Sequence, residues 1–435
     1  MPSAWTEREV IHLLNRAAFG ASNLEIKACL SYGKKETVRR LVSGIPLTEP
    51  SDALIDISQL KADNKELDGD LLADQQLYWL YRMIHTSTPL IEKMTLFWHS
   101  HFTTSISKVH LMPLMVRQNN LFRKHALGSF RDLLQAVSID PAMMIWLDAG
   151  FNRKGSPNEN YAREVMELFT LGRGHYTEQD VKEVARSLTG WGYDRNTDFV
   201  SFDRQQHDEG VKQVLGKKSN LNTASVIDVL LSQKEFYSFL ARKLLQAFVH
   251  AAPSQAWIDR TSSKLAKSLN IGDLLSDIFL SDEFYEESIF MSIIKSPVEY
   301  VATISKLLSL PLSRYMMNAT RAMGHDLYNP PNVSGWQGHE AWLMTTYQLV
   351  RFQFAEWAAS QTTNKWFVPS TPTLFEKLSM EDKIKIWSKQ LNISTLSKAT
   401  CHGLTTYAEE NLLQKEPDPR LILQLLMMCP ESQLK

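Results

Sequence analysis

Three cysteines in 435 residues, Cys29, Cys401 and Cys429, lie too far apart to form a disulfide framework or a C-x-x-C metal knuckle. Neither charge is in excess. With 47 basic and 48 acidic residues the formal net charge is -1, so nothing in the overall balance points to nucleic acid or an anionic membrane as a partner. No run approaches the roughly 18 consecutive apolar residues of a membrane span. The opening MPSAWTEREVIHLL puts Glu7, Arg8 and Glu9 where a secretory leader would be apolar; with no signal peptide visible, the expectation is a soluble, cytoplasmic chain. Also missing are G-x-x-x-x-G-K-[ST], a G-x-G-x-x-G after a strand, the G-x-S-x-G elbow and H-E-x-x-H. These absences leave His and carboxylate chemistry as the basis for any enzymatic reading.

What is present is an ordinary globular composition, 44% hydrophobic and 22% charged, and helix punctuation along most of the chain. The clearest stretch runs from Gly155 to Trp191. Ser156, Pro157 and Glu159 have the pattern of a capped helix start, and Gly172 and Gly174 of its end. Thr177 and Asp180 open a second helix that Gly190 closes. At about 100° per residue, Tyr161, Ala162, Val165, Met166, Leu168 and Phe169 gather on one face of the first helix, and Asn160, Arg163, Glu164 and Glu167 on the other. That polar stripe is either solvated or turned into a cavity, where two carboxylates could share a proton or hold a cation.

Capping pairs Thr6/Glu9 and Ser22/Glu25 predict two short helices near the start, the second from Asn23 to about Ser31. Pro89 opens LIEKMTLFWHSHF, and further helices follow at short spacing. Between Tyr193 and Gly216 the period changes to two: DFVSFD is strand-like, with VKQVLG as its expected partner across QQHDEG. NPPNVSGWQGHEAW cannot be regular helix. The fold expected is therefore all-α, a multi-helix globular array with at most a short β-hairpin near 198–216. The Thr-rich run SQTTNKWFVPSTPT divides a helical domain, 1–360, from a small helical extension, 361–435.

His99 and His101 have a common metal-ligand spacing and would suit a divalent ion, although on a regular helix their rings point about 200° apart. The alternative is one buried and one exposed histidine with no ligand role. His207 and Asp208, in the turn QQHDEG, could serve as acid and base or simply build the turn. Asn158 and Asn160 could read a polar ligand, or Asn158 could satisfy the first helical turn. Trp191 and Trp336 each follow a glycine at an element end and could wall a pocket or pack in the core.

HLLNRAAFG, KMTLFWHSHF, HALGSFRDLL, DPAMMIWLD, PNENYAREVMELFTLG, YTEQDVKEVARSLTGW, HDEGVKQVLG, KSPVEYV and PPNVSGW, in this order, resemble a bacterial family catalogued as domain of unknown function 1800. The resemblance covers about residues 7–358, with Ser100 where the family usually has Asn between the two histidines. It implies a mostly α-helical protein and an HD-G-K unit around His207 and Asp208. It also implies frequent export and a genomic neighbour resembling sulfatases and alkaline phosphatases. Two expectations follow from different classes. One is an enzyme or ligand-binding protein with a pocket of His99, His101, Asn160, Glu164, Glu167, His207 and Asp208, around a divalent metal in one version. The other is a non-catalytic helical partner of the sulfatase- or phosphatase-like protein.

Overall fold

The computed structural model describes residues 5–48, 54–367, 375, 377–412 and 418–435. Residues 49–53, in the polar stretch TEPSDALIDISQLKADNKELDGD expected as a loop or linker, and the end of the Thr-rich run, 368–373, lie outside the described residues. The protein is 62% helical. The helices are α1 (Glu7–Ala17), α2 (Asn23–Val42), α3 (Leu72–His85), α4 (Pro89–His101), α5 (Ile106–Val109), α6 (Met112–Lys124), α7 (Phe130–Ser138), α8 (Pro141–Trp146), α9 (Glu159–Glu164) and α10 (Glu178–Ser187). They continue with α11 (Thr223–Leu231), α12 (Lys234–Phe248), α13 (Gln255–Leu265), α14 (Ile271–Leu280), α15 (Pro297–Leu308), α16 (Arg314–Ala322), α17 (Thr345–Gln361) and α18 (Asn364–Phe367). After residue 377 come α19 (Met380–Gln390), α20 (Lys398–Leu412) and α21 (Pro419–Met428). Among the described residues no helix is long and apolar enough to cross a membrane.

The helix starts follow the local chemistry read from the sequence, with two corrections. Thr6/Glu9, Ser22/Glu25 and Thr177/Asp180 all form reciprocal capping boxes. The second helix does not stop near Ser31: it continues to Val42 through a break at Gly33, whose φ of 77° lets helical turns resume beyond it. Ser156 does not cap α9 either. Asn158 does, its side-chain oxygen accepting from the Asn160 N–H at 2.9 Å, while Ser156 is held in a bridge to Arg153. α9 then widens into a π-helix, Val165–Thr170, closed by the Leu171 N–H on Met166 O at 2.8 Å.

Among the described residues the strands form three antiparallel hairpins: Lys61–Ala62 with Lys65–Glu66, Trp191–Asp194 with Phe199–Phe202, and Lys212–Val214 with Lys217–Ser219. DFVSFD thus pairs with the strand before it, Trp191 opposite Phe202, and VKQVLG folds back on the residues after it. The expected pairing across QQHDEG does not form because each strand finds a closer partner across a shorter turn.

Two hydrophobic clusters make the core. One gathers side chains from α1, α2, α4, α6, α7, α10 to α14 and the π-helix, and the other those of α3, α15 to α17 and the C-terminal helices. α4 serves both, giving Met94 and Trp98 to the first and Leu96 to the second. Ile384, Trp387, Ile422 and Leu426, from beyond residue 360, share the second cluster with Tyr300 and Phe354.

Candidate functional site

Lys93, Leu96, Phe97, Ser100 and His101 of α4 follow the spacing i, i+3, i+4, i+7, i+8, which puts all five on one stripe of the helix. That stripe is the wall of a cavity of about 350 Å³. α12 faces it with Lys243, Gln246 and Ala247, and the start of α15 with Ser296 and Glu299. The irregular segment after α16 closes it with His325, Trp336 and Trp342, and Lys435 reaches in from the C-terminal residues. Gly335 lets this segment approach α4: its φ is 82°, and a Cβ there would lie 3.0 Å from Ser100 O.

The cavity is a place of buried charge. Among its lining side chains are three lysines, Lys93, Lys243 and Lys435, against one carboxylate, Glu299. Glu299 pairs with Lys93 at 2.5 Å and with Lys435. Burial pushes its carboxyl up, but the charges of Lys435 and Lys93 outweigh burial and hold it well below the usual carboxylate range. Burial lowers Lys435 to about 7 and Lys243 to about 8, and Lys243 has no carboxylate to offset it. Its ammonium donates instead to His101 Nδ1 at 3.2 Å and Leu168 O at 3.3 Å. His325 lies between Trp336 and Trp342, with ring centroids 4.6 and 5.0 Å away. His325 Nδ1 and Trp336 Nε1 are both buried and have no hydrogen-bond partner among the described residues. Buried polar atoms are usually hydrogen-bonded, so these two can serve a water or a ligand in the cavity.

His99 and His101 stay within regular helix, so their rings enter different surroundings. His99 Nε2 accepts the Tyr328 N–H at 3.1 Å among Trp79, Tyr328 and Trp336, and burial with the neighbouring His325 lowers it to about 3. His101 faces Phe97, Phe102 and Phe169, donates through Nε2 to Phe169 O at 3.1 Å and accepts from Lys243 through Nδ1. With both His101 nitrogens engaged, the two rings do not form a chelating pair. Among the described residues no three His, Cys, Asp or Glu side chains converge as a metal site requires. The donor set does not fit a resident divalent metal.

The remaining sequence candidates lie elsewhere and carry local bonds. Glu167 accepts from Tyr176 Oη at 2.7 Å and pairs with Arg173 at 2.5 Å, interactions that lower its pKa. Glu164, half-buried beside it, is raised by burial and by the Glu167 charge. Asn158 binds Asp148 O at 3.2 Å besides capping α9, and the exposed Asn160 reaches Asp148 Oδ2 at 3.4 Å. His207 donates through Nδ1 to Thr189 O at 2.9 Å. The forked hydrogen bonds from Arg186, at 2.8 and 3.2 Å, bring Asp208 down to about 2. The Trp191 indole donates to Thr223 Oγ1 at 2.9 Å. Of the sequence candidates, His101 and Trp336 line the cavity. Sequence reasoning passed over Lys93, Lys243, Glu299, His325, Trp342 and Lys435. The available signal was the helical period itself, which carries Lys93 onto the same stripe as His101.

The protein is thus a mostly α-helical array with a cation-rich cavity between its helices. The chain belongs to the family described as "Protein of unknown function (DUF1800)", whose profile matches residues 12–434. The match runs past residue 360 and takes in the C-terminal helices, beyond the 7–358 over which the motifs resemble the family. No curated protein and no solved structure shows a significant match.

Proposed function

We propose that the cavity between α4, α12, the start of α15 and the segment 324–343 is the working site, and that it takes a small organic anion with an apolar body. The observation that carries this reading is the surplus of lysine, Lys243 above all, in a cavity that also presents the rings of Phe97, Trp336 and Trp342. A buried cation without a counter-charge is costly, and an anionic ligand would remove that cost. Phe97, Trp336 and Trp342 offer apolar surface to the rest of the ligand, and the unpartnered His325 Nδ1 and Trp336 Nε1 offer polar contacts that would orient it. In this reading Glu164, Glu167, Asn158, Asn160, Trp191, His207 and Asp208 shape the fold around the site rather than form it.

Benzoate, benzenesulfonate and the neutral isostere benzamide separate charge from shape. The expected result is that both anions raise the melting temperature and quench tryptophan fluorescence, while benzamide does neither at equal concentration. At 100 times its Kd a ligand that binds only the folded state adds about 2.7 kcal/mol of stability. Equal effects of benzamide and benzoate, or none from either anion, would overturn the reading.

A further inference from the structure

Lys243 and His101 stand in an order that does more than hold an anion. The Phe169 carbonyl accepts from His101 Nε2 at 3.1 Å, which fixes the imidazole tautomer and leaves the Nδ1 lone pair facing the Lys243 ammonium at 3.2 Å. Carbonyl, imidazole and amine thus line up as anchor, orienting acceptor and nucleophile, and burial with the Lys243 charge keeps the imidazole neutral. The supports are built into the fold. Phe169 O and Leu168 O belong to the last turn of the π-helix, where carbonyls lack helical partners and are free to accept. The lysine is carried on the middle of the 15-residue α12, with its Nζ 4.9 Å from the centre of the Phe239 ring.

We propose that Lys243 is a nucleophilic amine, held in place by His101 Nδ1, and that the ligand of the cavity is an anionic aldehyde or ketone. This rests on the cavity being the working site. The neutral amine of Lys243, its ammonium proton lost to solvent, forms a bond from its nitrogen lone pair to the carbonyl carbon as the C=O pair moves onto oxygen. Both protons of the amine pass to that oxygen, which leaves as water, and the nitrogen ends as a neutral imine. Amine and carbonyl become imine and water with no change of oxidation level, so no further reactant is needed. Lys93 and Lys435, paired with Glu299, together with the neutral His325 and with His339 are the other titratable groups facing the cavity from α4, α15, the C-terminal residues and the loop. Burial without a counter-ion holds Lys243 down at about 8, so a share of it is neutral and reactive near physiological pH.

The test uses the full chain with glyoxylate and sodium cyanoborohydride at pH 7.5, followed by peptide mapping. The expected result is that Lys243 is alkylated at least tenfold faster than the exposed Lys217 and Lys218. Benzoate should slow the reaction at Lys243 alone. Lys243→Arg should lose the fast adduct, and His101→Gln, checked for native circular dichroism, should slow it. Labelling of Lys243 no faster than of Lys217, in a protein that benzoate stabilises, would overturn the amine while leaving the anion site standing. Fast labelling of Lys243 that benzoate neither slows nor accompanies with stabilisation would support the amine and count against the anion site.

Discussion

Glu164 and Glu167 sit three residues apart, and their surroundings move their protons in opposite directions. Glu167, bonded to Tyr176 and Arg173, has a lowered folded pKa; the stability it adds is present above the unfolded value near 4 and lost as pH falls through the folded one. Glu164 is raised, so the folded state holds its proton more tightly than the unfolded state does. Its charge therefore costs stability at neutral pH, and the cost disappears as pH falls through the raised value. Glu164→Gln is expected to leave the melting temperature at pH 7 unchanged or raised, with the gap to the parent closing in acid. Glu167→Gln should lower it by the equivalent of about 1 kcal/mol, since two hydrogen bonds to the carboxylate are weakened. Thermal melts between pH 3 and 7 check both signs. The i, i+3 spacing of the pair was legible in the sequence. That Tyr176 and Arg173 would fold back onto Glu167 was not, because it depends on the chain reversal after Gly172.

At the scale of elements, α4 and the π-helix position the site, and they meet through a cluster of rings. Phe169 is fully buried, with Phe102, His101 and Tyr161 at 5.1, 6.0 and 6.4 Å between centroids. Phe169→Ala is expected to cost about 3–5 kcal/mol, read as a lower urea midpoint at unchanged m-value. Gly335→Ala acts on the other wall: the new methyl would press on Ser100 O and lift the segment that carries Trp336. It should weaken the benzoate response, measured by fluorescence titration, with the far-UV spectrum unchanged. Capping chemistry made most helix starts readable, since Ser, Thr and Asp act on the next three residues. The failures came where competing partners decided the outcome. Ser156 has the residue types of a cap, but the bridge to Arg153 takes it away, and Asn158 binds both the helix start and Asp148. The strand DFVSFD was recognisable by its period, while its partner was a matter of turn length.

For the molecule as a whole, the segment beyond residue 360 matters to the site. Lys435 pairs with Glu299 in the cavity wall, and Arg351 bonds Gln433 Oε1 at 2.9 Å and Lys295 O at 2.8 Å. A Thr-rich run is a sound compositional sign of a boundary, but it says nothing about where the apolar faces of the following helices go. Here they join the core of α3 and α15 to α17. Ile422→Ala is expected to shift a single global unfolding transition by about 2–5 kcal/mol, detected alike by far-UV circular dichroism and tryptophan emission. An independent C-terminal unit would instead show a separate, earlier transition with the rest unchanged.

If the cation-rich cavity behind α4 is a site for organic anions, 4-iodobenzoate soaked into crystals should seat there, and its iodine marks its own position in diffraction. An anomalous peak is expected among Phe97, Trp336 and Trp342, with the carboxylate turned toward Lys243. Iodine found only on the outer surface at saturating concentration, with the cavity holding water alone, would contradict it.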